Sequence, residues 1–308
     1  MKNLIINIFK TLFFFDLAVI VISLLPTVQS SNPALALLLN ECIPLGLVIL
    51  LTLFFFLFLE KKQVGPPLKH KKFKSFFKGL GFGAVLPVIC VAVMFFTKSF
   101  HFLGFNKIDS WYYYVLALLC NAIFTELLLR GYLFNLYKKF YGFTFATVAT
   151  TLMFISLNIN LFSENKYYIA TVILFNILLC FLLEYTNSVI TTITARFTYT
   201  LLSTFLLGSY PLFESFPTLI NYTVTQKKYV TGEKTLLEDS ILLLILVALA
   251  TLLFVWKKYR PITQFKRFIK FMRNLPQIIK QYKIKRKLRR KNFRFTRKSK
   301  KNKKQKNK

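Results

Sequence analysis

Histidine, acid and patterned cysteine are what this chain has least of. Its 308 residues include two histidines and 11 acids. His70 and His101 both fall in expected loops, so no apolar run carries an imidazole. A histidine and carboxylate set for zinc, or a histidine base that would activate water, cannot be assembled from them inside a bilayer. Cys42, Cys90, Cys120 and Cys180 all lie in apolar runs without C-x-x-C spacing. That argues for small packing residues, and against a disulfide framework or a zinc knot. No metal and no cofactor is expected. Ten-residue alternating segments are missing too, which excludes a β-barrel. No A-x-A-like cleavage site follows the first apolar run, so it is read as an uncleaved helix. No internal repeat is visible and paired broken helices are not obvious, although Pro44 and Pro87 interrupt apolar runs. A transporter or channel is therefore the remote reading.

What is present is apolar surface. The chain is 55% hydrophobic and 17% aromatic, with a mean hydropathy of +0.50, too apolar for an ordinary soluble domain. Eight runs are each close to the roughly 20 residues that cross about 30 Å of hydrocarbon. They are Leu4–Pro26, Ala34–Leu59, Phe76–Thr97, Trp111–Leu129, Phe143–Phe162, Tyr167–Leu183, Asn187–Gly208 and Ser240–Trp256. Only helices satisfy their own backbone in lipid without closing a barrel. The expected fold is all-α: a polytopic membrane protein of about eight transmembrane helices.

Positive charge orients it. With the N-terminus inside, the basic stretches Glu60–Ser75 and Arg130–Lys139, and everything after Trp256, become cytoplasmic loops and tail. Both termini are then cytoplasmic. Of 43 lysines and arginines, 24 follow Trp256, and none of the 11 acids does. The chain thus divides into a membrane domain, 1–256, and a basic tail, 257–308. Within the tail, 262–282 sets Ile262, Phe265, Phe268, Ile269 and Met272 at helical spacing, with Lys266, Arg267, Lys270 and Arg273 on the other face. This is the pattern of a helix lying in the headgroup layer and binding anionic lipid, at about 1 kcal/mol per basic residue. Nucleic acid competes as a partner through phosphates and the interleaved Phe293 and Phe295, but ranks below lipid.

Asp16, Glu41, Glu126, Glu184 and Arg196 lie within or at the ends of the runs. Such residues are costly and mark a function or a pair. Glu126 and Arg130 stand i, i+4 with the acid first, the better order for a helical ion pair. On spacing alone they neutralise one another near the cytoplasmic interface.

The surroundings of that pair carry a resemblance. TELLLRGYLF (Thr125–Phe134) resembles the first motif, E-E-x-x-x-R followed by Gly, of the CPBP intramembrane proteases, which include the CAAX-prenyl endopeptidases and bacterial Abi proteins. LMFISLNINL resembles the second motif, F-x-x-x-H, with Phe154 in place and Asn158 at the histidine position. LEYTNSVITTITARFTYTLL resembles the third region, where E-x-T-x-S precedes H-x-x-x-N. Glu184, Thr186 and Ser188 match, while Arg196 and Thr200 hold the histidine and asparagine positions. The similarity spans about 111–208.

The resemblance implies that the first acid of the pair would activate water while the two histidines and the asparagine hold the transition state. Here those positions are Thr125, Asn158, Arg196 and Thr200, and only Glu126 and Arg130 remain. A threonine hydroxyl is no general base without a base of its own, and groups that act as a unit fail together. No residue is assigned a catalytic role. Arg196 is a permanent cation, costly to bury alone, so it is expected to pair with Glu126 across the bundle.

The reading that follows is a catalytically inactive CPBP-like scaffold or regulator of a cell-envelope or surface-protein process, in a bacterial plasma membrane and with a protein partner. The alternative is a divergent CPBP endopeptidase of the CAAX type, or one concerned with bacteriocin processing or self-immunity, using Glu126 as its base.

Overall fold

A computed structural model describes residues 2–59, 67, 72–158, 165–208, 217–225, 228–232 and 237–259. The chain divides into two compact units, Met1–Phe254 and Val255–Lys308. The amphipathic segment 262–282, its Lys266, Arg267, Lys270 and Arg273, and the rest of the basic tail lie outside the described residues.

The first unit is a helical bundle. Its elements are α1 (Lys2–Ser23), α2 (Pro33–Phe54, continued by a wide turn Phe55–Leu59), α3 (Lys72–Phe96), β1 (Phe100–Phe105) and α4 (Trp111–Glu126). A wide turn, Leu127–Leu133, joins α4 to α5 (Phe134–Tyr141), and α6 (Phe143–Leu157) and α7 (Lys166–Thr186) follow. Then come α8 (Val189–Thr200, with a second wide extension Leu201–Leu206), β2 (Ile220–Val224), a short α9 (Lys228–Thr231) and α10 (Ile241–Tyr259). Among the described residues, α2, α3, α4 with α5, α7 and α10 are long and apolar enough to cross a membrane. The chain is a multi-pass helical membrane protein.

Local chemistry sets the helix ends. Asn32 caps α2 by accepting from the Ala34 and Leu35 amides, with Pro33 in the first turn where its missing N–H is harmless. Asn165 caps α7 through the Tyr167 amide, and Asn187, at φ 51°, turns the chain left-handed to stop it. Gly142, at φ 88°, supplies the sharp corner between α5 and α6.

Two stretches differ from the sequence expectation. Arg130–Lys139 is helix rather than loop. The α4 rod runs on to Tyr141, and Leu128, Leu129, Arg130, Tyr132, Leu133, Phe134 and Leu136 are all fully buried. Hydropathy fell at Arg130 because the residue is charged, yet burial there is secured by partners. The second difference is a strand pair in segments expected as loops. β1 pairs antiparallel with β2, His101 opposite Thr223, with an irregularity between Phe102 and Gly104. The two-stranded pair does not alter the all-α character of the bundle.

The core has two apolar clusters. One gathers around Phe14, Phe55 and Tyr132, whose rings lie 4.8–5.6 Å apart. The other gathers around Met94, Leu178, Tyr199 and Leu243. The outward faces of α2, α3 and α10 expose Leu50, Val85, Val88, Leu252 and Leu253, the apolar surface a lipid-facing helix requires.

The α3–α8 contact is the tightest. A Cβ on Gly83 would stand 2.2 Å from the Ala195 carbonyl oxygen, and one on Gly79 would stand 2.5 Å from the Thr191 carbonyl oxygen. Small residues four apart let two helix backbones touch. That approach fixes the face of α8 whose next residue is Arg196.

Candidate functional site

Glu126 ends the regular part of α4 and is fully buried, as is Arg130. Between them the helix widens at Leu127–Leu133. Such turns leave backbone carbonyls without their usual partner and recur at functional sites. Here the Asn135 side-chain amide donates to the carbonyls of Arg130 at 2.8 Å and of Gly131 at 3.0 Å. The distortion is thereby satisfied internally.

One carboxylate oxygen holds the site together. Arg130 Nη1 donates to Glu126 Oε1 at 2.6 Å, and Arg196 Nε donates to the same oxygen at 2.8 Å. The pairing expected between Arg196 and Glu126 is the one observed. Arg130 Nη2 also donates to the Asn176 backbone carbonyl at 2.8 Å and to its Oδ1. The Asn176 amide in turn donates to Thr151 Oγ1 at 3.2 Å. The Arg196 guanidinium lies 5.3 Å from the centre of the Phe154 ring, a favourable cation–π distance. Two cations share one anion, so the cluster carries a net charge of about +1, held away from water where electrostatic effects are strong.

The remaining motif positions are turned onto their own helices. Thr125 Oγ1 donates to the Asn121 carbonyl at 2.9 Å. Thr200 Oγ1 donates to the carbonyls of Arg196 and Phe197. The Asn158 amide donates to the Phe154 carbonyl at 2.8 Å, at the end of α6. Even so, the structure brings them together: Thr125, Asn158, Arg196 and Thr200 all line one cavity of about 400 Å³, with Glu126 and Arg130 absent from its lining. Among the described residues no three His, Cys, Asp or Glu side chains cluster as a metal would need.

Sequence reasoning missed three contributors. Asn121 lines the cavity and donates to Glu41 Oε2 at 3.0 Å. Asn176 anchors Arg130. Both could have been found as amides in apolar helices, since polar groups there need partners. Glu238 could not. It sits in what reads as an exterior loop, yet it is buried, lines the same cavity, and lies beside Tyr199 and Ser203.

Burial pushes the Glu238 carboxyl up to about 7, with neighbouring Asp239 acting in the same direction. Its contribution to stability is present at low pH and is lost as pH rises through about 7, when the folded protein must carry a buried charge. Glu238→Gln is expected to be more stable than wild type at pH 8, on the order of 2 kcal/mol, with the gap closing near pH 5. Thermal denaturation in neutral detergent at the two pH values checks this.

Residues 107–202 match the type II CAAX prenyl endopeptidase Rce1-like family. The matched segment is about a third of the chain, reaching from just before α4 to the end of α8, and contains Glu126, Asn158, Arg196 and Thr200. No curated protein matches the chain.

Proposed function

We propose that this membrane protein has kept the Rce1-like bundle and lost its chemistry, and works by binding. It is a catalytically inactive scaffold or regulator of a cell-envelope or surface-protein process, seated in a bacterial plasma membrane with both termini in the cytoplasm. The supporting observation is the Glu126 carboxylate shared by Arg130 and Arg196, with Thr125 where the resemblance implies a first acid. A base must be free to accept a proton within reach of water and substrate. Glu126 is committed to two cations and stands outside the cavity lining. The basic tail would add contact with anionic lipid through Lys266, Arg267, Lys270 and Arg273.

One observation favours a second reading, a divergent endopeptidase. Glu238 is a carboxyl on the cavity wall, pushed up to about 7, a suitable value for a general base near neutral pH. Two cases can be separated with purified full-length protein, prenylated and unprenylated peptides, and mass-spectrometric detection of products. The scaffold reading expects no product from wild type. Cleavage that disappears in Glu238→Gln would replace it with the second reading.

A further inference from the structure

The cavity has donors and acceptors distributed in a way the preceding reading does not use. Three of its hydroxyls are spent as donors: Thr125, Thr171 and Thr200 each give their proton to a carbonyl of their own helix. They therefore face the cavity as acceptors only. The Asn158 amide is engaged likewise. Arg196 is different. Its Nε holds Glu126, while its Nη2 is buried and makes no hydrogen bond to the protein. A buried guanidinium N–H without a partner is costly and calls for an acceptor. While Glu238 is protonated the cation also belongs to a cluster with one positive charge in excess, so a neutral acceptor would leave the charge uncompensated. Most of the remaining wall is apolar, with Phe124, Leu157, Val172 and Phe175 contributing side chains. The volume, about 400 Å³, is at the small end of ligand sites.

From this we infer that the cavity is a binding site for an amphiphile with one anionic head, a carboxylate or a phosphate, whose head accepts from the Arg196 guanidinium and whose chain lies along Phe124, Leu157, Val172 and Phe175. The site deepens the binding-only reading and rests on it in one respect: Arg196 is free for a ligand only if it is not serving catalysis. Glu238 opposes the head across the cavity when ionised. The groups around it are Tyr199, Ser203 and Arg196 from α8 and its extension, and Asp239 beside it. Binding therefore weakens as pH rises through about 7, and Glu238→Gln removes that dependence.

Full-length protein in neutral detergent is titrated with laurate, dodecyl phosphate and dodecanol, reading the thermal midpoint. Wild type, Arg196→Gln and Val172→Phe are compared. Arg196→Gln leaves the Glu126–Arg130 pair balanced, and Val172→Phe fills the apolar part without touching the cation. Both keep the basic tail, so any binding there persists in all three proteins. The expected result is saturable stabilisation by at least one of the two anions and none by dodecanol, with apparent affinity at least tenfold weaker in both variants. Laurate alone or dodecyl phosphate alone identifies the head group. Equal stabilisation by dodecanol, or anion stabilisation unchanged in both variants, overturns the inference. A cleaved peptide would defeat the scaffold reading while leaving this titration interpretable, and a failed titration would leave the peptide result untouched.

Discussion

Glu126→Gln is expected to lower the stability of the bundle by about 3–5 kcal/mol, the usual cost of removing one partner from a buried charge pair. In a domain of this size that corresponds to a fall of about 10 °C in Tm. The substitution keeps the shape of the side chain and removes the carboxylate that both Arg130 and Arg196 bond. Arg130 retains the Asn176 carbonyl and Oδ1 on its Nη2, which leave its Nε without a partner and its charge uncompensated. Arg196 retains the Phe154 ring, worth about 2 kcal/mol at most when desolvated. The outcome separates two roles. A carboxylate kept for catalysis is often strained, and its amide replacement is neutral or stabilising. A carboxylate kept as a counter-ion is missed at once. Thermal unfolding in detergent, followed by size-exclusion recovery, reads the difference.

Gly83→Val should have an effect of similar size through a different cause. The added Cβ would meet the Ala195 carbonyl oxygen at 2.2 Å and the Ala195 Cα at 3.0 Å. These are backbone atoms, which cannot swing aside as a side chain can. Overpacking costs about 1–3 kcal/mol where side chains yield, and here α8 itself must shift away from α3. Arg196 follows Ala195 directly, so the shift also lengthens its contact with Glu126. Gly46→Val is the control: a Cβ there meets nothing within 4 Å, and its Tm should stay close to that of wild type. A normal Tm for Gly83→Val would mean that the two helices are less closely apposed than the contact requires.

The bundle was legible in the sequence because lipid demands long apolar helices, and each of the eight expected runs corresponds to a helical rod among the described residues. The rod through Arg130 was cut short because hydropathy reads every arginine as wet. It has no way to register that Asn176, 46 positions later, supplies two acceptors. The strand pair was hidden for a related reason, since β1 and β2 are separated by more than a third of the chain and neither has a strand signal strong enough to stand alone.

The site was legible to the extent that its residues are charged or carry the motif pattern. The cation at position 196, costly to bury alone, pointed to Glu126, and two of the other acids in or beside the apolar runs have partners of their own. Glu41 is hydrogen-bonded by Asn121, and Glu184 pairs with Lys138 at 2.6 Å. Glu238 was invisible because burial of a loop residue depends on how distant segments fold over it, and no local pattern records that.

The most direct test of the role assigned to Glu126 is a double-mutant cycle with Arg196, measured as the stability of wild type, Glu126→Gln, Arg196→Gln and the double variant. A counter-ion relationship predicts that the double variant is more stable than Glu126→Gln alone, because one of the two stranded cations has gone, with a coupling energy of about 2 kcal/mol or more. Effects that add to within about 0.5 kcal/mol would show that Arg196 and Glu126 do not depend on one another, and the account of a carboxylate held by cations would fail.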